Sequence, residues 1–76
     1  MTEEDIKFLK SRIGQSAVNI RFKDGELVEA KITSVFEIEK DVIFDIVSTT
    51  TPDKYTGISE GLIRAVFEDI ESVSAI

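Results

Sequence analysis

Candidate chemistry in this chain rests on four groups of side chains. The basic residues Arg21, Lys23, Lys31, Lys40, Lys54 and Arg64 carry the charge that neutralises phosphate, and the rings of Phe36 and Tyr55 can stack on bases of any sequence. Glu68, Asp69 and Glu71 offer the hard oxygen donors of a cation site. Ser48-Thr49-Thr50-Thr51 is a run of hydroxyls. A plainer reading stands beside each. The basic groups fit solvated outer faces of strands, Phe36 fits the core as well as a stacking position, and Tyr55 fits a loop anchor. The acidic set has no calcium-loop spacing and reads as a charged turn between strands. The hydroxyl run has no nearby base and no Gly-rich cradle, so it forms neither an activated nucleophile nor a phosphate loop. The chain has no His and no Cys, which excludes disulfides, thiolate or imidazole metal sites, and His-based acid/base catalysis. The expectation is a protein that is not an enzyme and carries no cofactor or metal.

The elements that must position these residues begin with a helix. Thr2 precedes Glu3, Glu4 and Asp5, giving an N-cap, a reciprocal capping position and carboxylates at the positive end of the dipole. Ile6, Leu9 and Ile13 follow at helical spacing with Phe8 beside them, and Gly14 suits the residue after the helix end. This predicts a helix at about residues 3–13, lying over a sheet.

From Ala17 to Val35 the sequence reads as one bent hairpin. Val18, Ile20 and Phe22 alternate with Asn19, Arg21 and Lys23, the period of a half-buried strand. Asp24-Gly25 predicts a two-residue type I′ turn. On the return arm Val28, Ala30 and Ile32 share a face, while Val35 falls out of phase, so a bulge or sharp bend is expected near Thr33-Ser34. Phe36 to Asp41 reads as a polar connection, and Val42 to Ser48 as a strand buried on both faces. Thr49 to Glu60 is a loop, Leu62 to Phe67 a fourth strand, Glu68-Asp69 a tight turn and Ile70 to Ile76 the last strand.

Seventy-six residues make one domain, close to the size at which a single core needs support, and with cysteine absent that support is expected from self-association. The 42% apolar content suffices for a core and an interface. No run approaches the roughly 20 apolar residues of a membrane span, and the acidic MTEEDIKF start is unlike a signal peptide. A soluble, cytoplasmic protein that does not engage membranes is expected. The net charge of −6 argues against a general nucleic-acid surface but leaves room for a local basic patch.

The order helix, Gly, strand, Asp-Gly turn and long bent strand resembles the Sm-like (Lsm) family of small open barrels that form rings. Leu9, Ile13, Gly14, Val18, Ile20, Phe22, Asp24, Gly25, Val28 and Ile32 follow its first motif at the family spacing. The resemblance covers about half the chain and implies a five-stranded antiparallel SH3-like open barrel with an N-terminal helix, a single Sm-like domain over residues 1–76. It also implies a cyclic homo-oligomer in which strand four of one copy pairs with strand five of the next. Leu62, Ile63, Val66, Phe67, Ile70 and Val73 are the interface residues so implied, since both strands are apolar on both faces.

Departures from the family pattern bear on function. Ala30 stands where the first motif has Gly. Counting from Asp24-Gly25 reaches Phe36 and Lys40 where the family carries the Asp and Asn of a uridine pocket, and neither side chain reproduces the Asn hydrogen bonds. Ile63-Arg64-Ala65 matches the family's Ile-Arg-Gly, with two residues more before Ile70. The resemblance thus implies a ring-forming scaffold associated with RNA through Phe36, Lys40 and Arg64, with a degraded uridine pocket. The alternative is an acidic protein-interaction module without nucleic acid.

Overall fold

The computed structural model describes residues 1–55 and 62–76. A helix, α1 (Glu3–Ser11), precedes five strands: β1 (Val18–Phe22), β2 (Leu27–Phe36), β3 (Asp41–Thr49), β4 (Leu62–Val66) and β5 (Ile70–Ala75). Short 3₁₀ turns occupy Pro52–Tyr55 and Phe67–Asp69. All strand pairs are antiparallel in the order β4-β3-β2-β1-β5, so the edges of the sheet are β4 and β5.

The helix starts as its first residues dictate. Thr2 Oγ1 accepts from the Asp5 backbone N–H and Asp5 Oδ2 accepts from that of Thr2, both at 3.2 Å, a complete capping box. The helix ends two residues before the expected Ile13. Arg12 caps it, donating to the Leu9 carbonyl at 3.0 Å while Ile13 donates to that of Lys10 at 3.4 Å, and Gly14 then takes φ +72° and donates to the Ile32 carbonyl at 3.2 Å. That bond ties the helix exit to β2 and turns Ile13 outward, 41% exposed, while Leu9 is fully buried. Helix α1 packs against β2 and β5.

The β1–β2 turn also differs from the expected type I′. Gly25 donates to the Phe22 carbonyl at 3.0 Å and Phe22 to the Glu26 carbonyl at 2.9 Å, and only Gly25 within the turn has positive φ, +97°. This is a three-residue loop with a Gly bulge, which Asp24 favours by accepting the Glu26 N–H on Oδ1. The expected bend is present. Ile32 pairs with Phe44 and Ser34 with Ile43, leaving Thr33 unmatched, and a second slip leaves Val47 unmatched on β3.

These two irregularities let one sheet curl around its own core. Val18, Ile20 and Phe22 meet Val28, Ala30 and Ile32 on the inner face, with Val42 and Phe44 beyond them and Leu9, Phe67 and Ile70 closing the ends. Phe44 is completely buried, with its ring centroid 6.4 Å from that of Phe22. The polar segment predicted from Phe36 is shorter than expected, because β2 continues through Phe36 and β3 begins at Asp41.

Candidate functional site

Strand register brings the sequence-predicted residues to the β3–β4 half of the sheet. Asp41 lies opposite both Phe36 on β2 and Val66 on β4, and Ile43 lies opposite Arg64. Arg64 is therefore diagonal to Asp41 on one face, within reach of a long side chain. Its Nε donates to Asp41 Oδ2 at 2.6 Å, and a second guanidinium nitrogen meets the same oxygen. The Asp41 side chain is almost wholly buried and that of Arg64 is 67% exposed, so the pair joins a fixed anion to a solvent-facing cation. Asp41 Oδ1 is buried without a partner among the described residues.

Lys40, one residue before this carboxylate, sits in the left-handed region at φ +59°, and its carbonyl accepts the Phe67 N–H at 2.8 Å. Phe36 is 40% exposed at the end of β2 and is not a core ring. Lys40 and Arg64 line different hollows. Arg64 shares one of about 650 Å³ with Phe22, Lys23, Asp24 and Lys54, whereas Lys40 borders another on the α1 side.

Sequence reasoning missed two acidic groups. In the sequence Asp41 reads as part of a polar connection, although an Asp at the head of the Val42-Ile43-Phe44 run with an Arg on the neighbouring strand is a signal in itself. Glu26, 2% exposed, had no local signal. Its Oε2 accepts from Thr49 Oγ1 at 2.6 Å and its Oε1 from Lys54 Nζ at 2.9 Å, and Lys54 Nζ also reaches Asp24 Oδ2 at 3.1 Å. The Asp24 carboxyl is held below the usual carboxylate range, chiefly by the Glu26 backbone N–H and then by Lys54. This cluster fastens the 3₁₀ turn Pro52–Tyr55 to the β1–β2 turn.

Of the residues implied for a ring interface, Leu62 and Val66 are 45% and 44% exposed. Ile63 and Val73 are half-buried against the core, and Phe67 and Ile70 are within it. The Phe67–Asp69 turn explains this: it redirects the chain between the edge strands, so Phe67 and Ile70, on either side of Glu68-Asp69, face inward. Glu68, Asp69 and Glu71 are exposed around this turn, and among the described residues no cluster of three or more potential ligands is arranged to hold a metal. The Tyr55 side chain and loop residues 56–60 lie outside the described residues. Among the described residues no helix is long and apolar enough to cross a membrane.

The fold is similar to that in the crystal structure of an SmAP (LSm) protein from Methanococcus vannielii, with a TM-score of 0.67 over 96% of each chain and 18% sequence identity. No family profile matches the sequence, and no curated protein matches it. The architecture is Sm-like, a mostly β open sheet with an N-terminal helix.

Proposed function

We propose that this chain is a non-enzymatic Sm-like scaffold that closes into a homo-oligomeric ring by pairing β4 of one copy with β5 of the next. The observation that carries this reading is the pair of open edges on one curled sheet. Unpaired strand edges present rows of N–H and C=O groups, and a head-to-tail contact between two different edges forms a ring when its rotation closes. Leu62 and Val66 supply exposed apolar side chains on β4 for that contact.

Light scattering on the purified protein tests it. A mass of several subunits is expected, and Val66→Asp should give soluble monomers, because it places a charge on the exposed edge without touching the core. An unchanged oligomer in this variant would overturn the assignment of β4.

RNA association at Phe36, Lys40 and Arg64 belongs to the same reading. Its support concerns Arg64 alone, which shares a hollow with Lys23 and the ion-paired Lys54, beside Asp24 and Asp69, that a ring would repeat once per subunit; Phe36 and Lys40 enter by the family resemblance. A second reading, a scaffold that binds protein and no nucleic acid, is favoured by the ion pair in which buried Asp41 offsets the charge of Arg64. Fluorescence anisotropy with labelled oligo-U and oligo-A separates them. Salt-dependent binding lost in Arg64→Met supports RNA, and no binding by an intact ring supports the second reading.

A further inference from the structure

We propose that the groove between α1 and the β2–β3 turn is a docking site for a basic peptide segment of a partner protein, one with Lys or Arg residues around a single apolar anchor. The groove consists of a hollow of about 810 Å³ that continues into a smaller one of about 290 Å³, the two sharing Glu3, Ile6 and Glu37. Its floor is apolar: Met1 and Ile6 are half-buried, Phe67 is buried and Val66 is exposed at one end. Its rim is acidic, with Glu3 from α1, Glu37 and Glu39 from the β2–β3 turn and Glu68 from the turn before β5. Three distant parts of the chain thus converge with the same charge around an oily floor.

The rim is open to a partner. Glu37 pairs with Lys10 at 3.3 Å on the exposed surface, whereas Glu3, Glu39 and Glu68 have no ion pair among the described residues. Lys40, Lys7 and the α-ammonium group of Met1 are the cations of the residues that line the two hollows.

The groove is also preorganised, because the Lys40 carbonyl holds the β2–β3 turn to the Phe67 N–H. Nucleic acid is the wrong class for this face. The carboxylates of Glu3, Glu4 and Asp5 offset the positive end of the helix dipole, and the rim carboxylates of Glu3, Glu37, Glu39 and Glu68 outnumber the cations beside them, so the net field of the groove repels phosphate. Val66 belongs to edge strand β4, so the proposed ring would cover that end of the groove and leave Met1, Ile6 and the four rim carboxylates to receive the peptide.

The experiment uses anisotropy with a labelled panel of short Lys/Arg-rich peptides, each carrying one Leu, Met or Phe, beside oligolysine and oligo-U. Anchored peptides are expected to bind more tightly than oligolysine and to shift the methyl NMR signals of Met1 and Ile6. Glu39→Lys with Glu68→Lys should weaken that binding about tenfold at low salt, mainly through slower association. The control Glu29→Lys, on the opposite side of the sheet, should leave it unchanged. Oligolysine binding as well as any anchored peptide, equal weakening by Glu29→Lys, oligo-U alone shifting Met1 and Ile6, or no binding across the panel would each overturn the proposal.

Discussion

Asp24 shows how one turn residue serves both local geometry and tertiary structure. Its carboxylate caps the Glu26 N–H within the hairpin and receives Lys54 from the β3–β4 connection. Since these contacts lower its pKa from the ordinary 3.8, they stabilise the fold fully above that value, and the contribution disappears as pH falls through the lower folded value. Asp24→Asn should therefore lower stability at neutral pH while flattening the acid limb of the pH–stability curve below about 4, as followed by urea unfolding across that range. The Asp41–Arg64 pair makes a different demand. Removing Arg64 leaves a buried carboxylate without its cation, so Arg64→Met should cost about 2 kcal/mol, discounted for the exposure of the guanidinium. If Asp41→Asn in that background recovers part of the loss, the cost lies in the stranded charge; if it recovers none, the pair does not account for the effect.

Among the elements, α1 and the hairpin were the most legible, because their signals are local. Thr2 and Asp5 form the capping box that their spacing predicts, and Thr2→Ala should lower stability by about 1 kcal/mol in thermal or denaturant unfolding. Alternation over Val18–Phe22 placed β1 on the correct face, and the phase error at Val35 correctly announced the bulge at Thr33. Two boundaries were misjudged for tertiary reasons. The helix stops at Ser11 because Gly14 is bonded to β2, and no helical pattern contains that bond. The hairpin turn is longer than Asp24-Gly25 alone implies, because the Phe22–Glu26 pair sets the loop length and both two- and three-residue loops accept the same dipeptide.

In the whole molecule, the decisive feature is a sheet that curls without its edge strands meeting. The difference between Val66 and its neighbour Phe67 follows from this. Val66 ends the exposed edge, whereas Phe67 is 6% exposed inside the core. Phe67→Ala should cost about 3–5 kcal/mol and threaten folding itself. Val66→Asp, by contrast, should cost less than this, chiefly through the new carboxylate opposite Asp41, while changing the mass of the assembly. Unfolding curves collected with light scattering on both variants check the contrast. Equal effects on mass and stability would mean that the two positions do not divide between edge and core.

The chain itself determined what short-range patterning can determine: the capped helix, the inner faces of β1 and β2, the bulge, the number of strands and, through the motif around Asp24-Gly25, the Sm-like architecture. Each follows from neighbours within a turn or a pleat, where steric and hydrogen-bonding preferences act without help from the rest of the fold. Only the tertiary structure decided which distant charges meet. It buried Asp41 beneath Arg64, sealed Glu26 under Thr49 and Lys54, separated Lys40 from Arg64, and gathered Glu3, Glu37, Glu39 and Glu68 around one groove. The reason is physical. A charged side chain looks the same in sequence whether it faces water or a partner on the next strand, and strand register sets the difference, which here depends on two single-residue slips in β2 and β3.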